Sequence, residues 1–140
     1  MIYLDSSALL KLVLPEAETD VLAAYLAPHG AAARASSELA LVEVARALRT
    51  AAAVGRLAHG ALSETLAAGT VLVRSMELVP VQIAVLQTAC RLPTPHLRSL
   101  DAVHIASAAR YRDELEALVT YDERLRAAAA AEGLPTASPA

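Results

Sequence analysis

The chain has 140 residues, a formal net charge of −3 and a hydrophobic fraction of 56% in which alanine dominates. A chain of this length suits one domain, read here as a single domain over 1–140, that buries roughly two thirds of its unfolded surface. No uncharged apolar run of about 18 residues is present to span a membrane, and the start MIYLD lacks a basic leader region. The single cysteine, Cys90, excludes an intrachain disulfide and a cysteine-based zinc site, so the cytoplasm is the expected compartment.

Ile2 to Asp5 reads as a buried strand and Ser7 to Val13 as a helix broken at Pro15. Glu16 to Ala27 makes a second helix with Val21, Leu22, Tyr25 and Leu26 on its apolar side, ended by Pro28 and Gly30. Ala32 to Ser36 is a strand weak in propensity, favoured by its position after a helix. Ser37 opens a long helix, SSELALVEVARALRTAAAVG, closing at Gly55. Its stripe Leu41, Val44, Ala45, Leu48 follows the i, i+3, i+4, i+7 pattern. A helix from Ala58 to near Ala68 leads to the β-like segment Met76 to Val81. Ile83 to Leu92 is helical, and PTPH forces a loop at Pro93 to His96. Ser99 begins the helix SLDAVHIASAARYR, and Leu118 to Tyr121 is a strand. DERLRAAAAAEG forms a helix ending at Gly133, LPTA a last strand, and the SPA tail a loose end. Strands alternating with helices through short connections predict an α/β fold, a mostly parallel sheet covered by helices.

The inventory of reactive groups is short. The five glycines make neither a dinucleotide fingerprint nor a P-loop. His29, His59, His96 and His104 lack metal-ligand spacing, and no G-x-S-x-G elbow is present. With no Trp or Phe and only four Tyr, base-stacking platforms are not expected. Lys11 is the only lysine, so basic character rests on arginine, and the negative net charge gives no overall attraction for polyanions.

Acids remain, and four sit oddly. Asp5 and Asp122 each end an apolar strand, Glu43 lies mid-helix between Leu39 and Ala47, and Asp101 interrupts SLDAV at a helix start. Each also has a structural explanation. Asp5 and Asp122 suit helix N-caps, and Thr120 with Glu123 fits a capping box. Asp101 complements a helix dipole behind a Ser99 cap, and Glu43 pairs with Arg46 at i+3. His104 reads as a satisfied helix histidine. If the strands share one parallel sheet, however, Asp5 and Asp122 leave its carboxyl edge together. Two like charges about 4 Å apart repel by about 4 kcal/mol at an effective dielectric near 20, so such a cluster needs a cation or raised pKa values. Oxygen-only donors suit Mg²⁺ or Mn²⁺.

YLDSSALLKL, SSELALVEVARALR, LRSLDAVHIASA and LVTYDERL, in this order and spacing, resemble the VapC-type toxins of the PIN-domain ribonuclease family. The resemblance covers essentially the whole chain. It implies a three-layer α/β/α sandwich and an acidic pocket for divalent metal, with Asp5, Glu43, Asp101 and Asp122 on the family's four acids. Ser6 and Thr120 match hydroxyl positions beside the first and last of them. It further implies an RNA substrate, a cognate antitoxin in a type II toxin–antitoxin pair, and a homodimer. On that reading, metal-activated water cleaves RNA in line to leave 5′-phosphate and 3′-hydroxyl ends. Arg46, Arg49 and Arg98 become candidate phosphate contacts. Two rivals stand beside it: a catalytically inactive interaction module on the same fold, and a haloacid-dehalogenase-like phosphatase. The latter expects D-x-D where Asp5 is followed by Ser6 and Ser7.

Overall fold

Strand β1 (Ile2–Leu4) is buried throughout, as a strand covered on both faces of a parallel sheet must be. The structure, a computed structural model, describes residues 1–140. In it β1 pairs in parallel with β2 (Arg34–Ser37) on one side and with β4 (Ala117–Val119) on the other. Outside these lie β3 (Glu77–Val79) against β2 and β5 (Thr136–Ala137) against β4. The order is β3-β2-β1-β4-β5. The chain builds outward from β1 to β3, then returns to the opposite flank at β4. Connections therefore diverge between β1 and β4, and side chains just beyond the carboxyl ends of these two strands share a crevice.

Alternation along β1 sorts the helices into layers. Ile2 and Leu4 face one way, packing with Ala8 and Leu9 of α1 (Ser6–Val13), Leu22 and Leu26 of α2 (Thr19–Leu26), Val44 and Leu48 of α3 (Leu39–Ala53), and Val73 of α4 (Leu62–Arg74). Tyr3 faces the other way, against Ile105 and Ala108 of α6 (Ser99–Ala108) and Leu125 and Ala129 of α7 (Glu123–Ala131). A smaller cluster of Val79, Val85, Val103 and Ala106 ties α5 (Ile83–Cys90) to α6. Each fully buried Leu or Ile contributes about 1.5–3 kcal/mol by leaving water. The result is the three-layer α/β/α sandwich expected from the sequence, with every strand pair parallel.

Several boundaries differ from the sequence reading, each for a local reason. The second helix begins at Thr19 rather than Glu16, because Glu16 is drawn away by Lys11 and Arg56 and its N–H donates to Thr19 Oγ1. Ala31–Ala33 form a 3₁₀ turn, so β2 starts two residues late, where Arg34 meets Ile2. Ser37 closes β2, and its hydroxyl accepts from the Leu39 N–H at the start of α3. The buried stripe of α3 is Ala40, Val44, Leu48 and Ala51, while Leu41 and Ala45 are only half-buried. Gly60, at φ 81°, delays α4, which then runs on to Arg74. The helix opened by Ser99 ends at Ala108 and tightens into a 3₁₀ turn over Ala109–Tyr111. The SPA tail is held: Ser138 donates to the Thr120 carbonyl at 2.5 Å and Tyr121 to the Pro139 carbonyl at 2.8 Å.

Candidate active site

Asp5 leaves β1 where the chain turns into α1, and it caps that helix as the sequence allowed. As the N-cap, its Oδ1 accepts from the Ala8 N–H at 2.9 Å and from the Ser7 hydroxyl at 2.7 Å. Its Oδ2 accepts from the Thr120 hydroxyl at 2.8 Å. The carboxyl is almost wholly buried, 4% exposed, and desolvation raises its pKa in spite of those three donors. A carboxylate this well fixed and this poorly hydrated favours a cation in front of it.

Glu43, on α3, does not pair with Arg46. Its Oε2 accepts from Ser6 and, at 2.7 Å, from His104 Nε2. Burial pushes its pKa up, but the hydrogen bond and field of His104 and the Ser6 hydroxyl outweigh that, leaving it below the usual range. Ser6 thus sits beside Asp5 in sequence but serves Glu43, while Thr120 sits beside Asp122 in space and serves Asp5. His104 is a satisfied helix histidine, as expected, with Nδ1 against the Tyr3 hydroxyl at 2.8 Å.

Asp101 lies in the first turn of α6, behind Arg98 at the N-cap position and with no side-chain cap, so Ser99 is not the cap. Burial raises its carboxyl, the Asp122 charge raises it further, and Arg98 and His104 pull the other way, with Glu43 adding a last repulsion. Asp122 caps α7, its Oδ1 accepting from Arg124 and Leu125 N–H groups at 2.8 and 3.2 Å. The Thr120–Glu123 capping box does not form. Thr120 instead bridges, accepting from the Asp122 N–H while donating to Asp5.

Asp101 thus feels the charges of Asp122 and Glu43, and Thr120 links Asp5 to Asp122, though no three acid or histidine side chains are drawn together as a ready cation cage. The donor set still suits a hard dication. Glu43 Oε1 and Asp122 Oδ2 carry no internal hydrogen bond, Asp101 is raised by burial and then by its acidic neighbours, and every donor is oxygen. Beside Asp101 opens a pocket of about 270 Å³, lined by the loop Thr94 to Arg98 and by Arg124, Ala127 and Ala128. Arg46 and Arg49 are exposed on α3, outside this pocket. Sequence reasoning missed Ser7, Tyr3 and Arg124. Ser7 had a local signal, at i+2 from an N-cap Asp, whereas Tyr3 and Arg124 acquire their neighbours only through the fold.

An all-parallel β3-β2-β1-β4-β5 sheet with acidic residues just beyond its central strands is an open-sheet α/β domain with its crevice between β1 and β4. The sequence profile of the PIN domain matches residues 2–131, and the chain belongs to the PIN-domain family, among its VapC ribonucleases. It is 39% identical over 141 residues to ribonuclease VapC35 of Mycobacterium tuberculosis. It is 41% identical over 138 residues to ribonuclease VapC46 and 36% identical over 141 to ribonuclease VapC47 from the same species. Each alignment covers 99% of this chain and 97% of the relative. The phosphatase reading is set aside by this membership.

Proposed function

We propose that this chain is a divalent-metal-dependent endoribonuclease of the cytoplasm, the toxin of a type II toxin–antitoxin pair that a cognate antitoxin restrains. The reading is supported by Asp101 feeling the charges of Asp122 and Glu43, by Thr120 linking Asp5 to Asp122, and by membership in a family whose relatives are named ribonucleases. No helix is long and apolar enough to cross a membrane.

Asp5, Asp101, Glu43 and Asp122 are the groups that hold Mg²⁺ or Mn²⁺. Bound there, the cation offsets the crowded negative charge, acidifies water and stabilises charge building on a phosphate. The protein's part is placement. Asp5 is clamped by Ala8, Ser7 and Thr120, and Glu43 is aimed by Ser6 and His104. Arg98 and Arg124, flanking the pocket beside Asp101, present guanidinium forks to the flanking phosphates. Arg46 and Arg49 offer a second, more distant pair on α3. Hydrolysis uses water rather than the ribose 2′-hydroxyl.

The test is cleavage of an RNA carrying one 2′-deoxy sugar at the scissile position. Cleavage persists, requires Mg²⁺ or Mn²⁺, and leaves 5′-phosphate and 3′-hydroxyl ends. Asp5→Asn or Asp101→Asn lowers the rate by about 100-fold or more, since even outer partners of metal ligands are worth about 10–100-fold. Cyclic phosphate ends, or undiminished cleavage in EDTA, would overturn the reading.

A further inference from the structure

We propose that Tyr3 and His104 form a positioning relay that aims the Glu43 carboxylate into the site. The inference rests on Glu43 being one of the nuclease acids. An ionised carboxylate only accepts hydrogen bonds, so the 2.7 Å contact requires the proton on His104 Nε2. In the neutral ring Nδ1 is then the acceptor, and the Tyr3 hydroxyl stands 2.8 Å from it. A phenol carries its proton at neutral pH, so the Tyr3 hydroxyl is available to donate. The order is Tyr3 O–H to Nδ1, then Nε2–H to Glu43.

The relay is anchored from both sides. Tyr3 is 0% and His104 2% exposed, one on the central strand and the other on α6. Their rings meet edge-on, with centroids 5.9 Å apart and planes at 76°. Turning the imidazole would break both hydrogen bonds in a buried site, where unmade bonds are costly. Ser6 donates to the same oxygen, Oε2, that His104 holds. Both internal donors thus fall on one side of the carboxylate and leave Oε1 for a ligand. His104 is a positioning residue: it acts through Glu43.

The experiment compares His104→Gln, His104→Asn and Tyr3→Phe. Glutamine carries an amide nitrogen where Nε2 stood, whereas asparagine is one methylene too short to reach Glu43. In metal-free wild type, nitrogen NMR of the imidazole reports the Nε2–H tautomer with a slowly exchanging proton. Titration with Mn²⁺ alone gives near-wild-type affinity for His104→Gln and affinity weaker by about 10–100-fold for His104→Asn. RNA cleavage by His104→Asn shows lowered kcat at unchanged KM. Tyr3→Phe keeps the packing and shifts Mn²⁺ affinity in the same direction by less, so it decides the matter if His104→Asn does not fold. An Nδ1–H tautomer, a freely rotating ring, equal Mn²⁺ affinities in the Gln and Asn variants, or wild-type affinity in Tyr3→Phe would overturn the relay. A wild type that ignores Mn²⁺ would instead overturn the metal reading above, while the imidazole spectrum still judges the relay.

Discussion

Asp101 is the least supported of the four acids: burial raises its carboxyl, Asp122 adds repulsion, and Arg98 opposes both. Asp5 shares the upward shift, through desolvation. A carboxyl raised in the folded state binds its proton more tightly there than in the unfolded chain. Its contribution to stability is thus complete below the ordinary carboxylate pKa near about 4 and lost as pH climbs through the raised value. Glu43, lowered in the fold, has the opposite sign, stabilising above its ordinary value and failing as pH falls through the lower one. In EDTA, Asp101→Asn is therefore expected to flatten the loss of melting temperature between about pH 4 and 7, and Mn²⁺ to stabilise wild type but not the variant. Melting curves across that range check this, and a variant with the wild-type slope would show that the Asp101 charge costs nothing. His96, on the pocket loop, holds φ at 62°, a region costly for residues with a Cβ. His96→Gly should stabilise the fold by up to about 1 kcal/mol, read from urea unfolding.

The approach of α3 to α4 turns on one glycine. A Cβ on Gly69 would stand 3.2 Å from both Leu48 Cδ1 and Val44 Cγ1, and these neighbours are 0% and 2% exposed, with little room to yield. Gly69→Val should cost about 1–3 kcal/mol by overpacking and should weaken Mn²⁺ binding as well, because Glu43 adjoins Val44 on the displaced helix. Unfolding and Mn²⁺ titrations of the variant check both, and unchanged stability would refute the contact. The same elements show what a sequence can reveal. β1 and β4 were legible because short apolar runs end on Asp5 and near Asp122, and α6 because SLDAVHIASA starts after a proline-rich loop. β2 was barely legible: Arg34–Ser37 reads RASS, and its polar interior is tolerable only because Ser36 donates to the Leu4 carbonyl at 2.7 Å. Likewise the four acids were visible by position and family pattern. Their partners were not, since Thr120 reaches Asp5 across 115 residues and His104 reaches Glu43 across 61.

At the scale of the whole molecule, apolar side chains are left uncovered on α5 and α6. Ile83 is 69% exposed and Leu100 47%, and between the helices runs a groove of about 400 Å³ lined by Leu86, Ala89, Cys90, Leu97, Ala102 and Val103. Such a patch favours association. Sedimentation at about 50 µM, a concentration suited to modest interfaces, is expected to show a dimer for wild type and a monomer for Leu86→Arg. A monomeric wild type would contradict the homodimer that the family resemblance implies.

The strand order carries a consequence for how the protein is made. β1 emerges from the ribosome first yet occupies the middle of the sheet, and one of its flanks stays empty until β4 is synthesised. Thr120 and Val119, which bond the Asp5 side chain and its N–H, come from that late stretch, and Thr120 is in turn held by Ala137 and Ser138. A nascent chain therefore cannot assemble the Asp5 clamp until Thr120 and the stretch that holds it have emerged. A ribonuclease thus gains its Asp5 clamp late in its own translation.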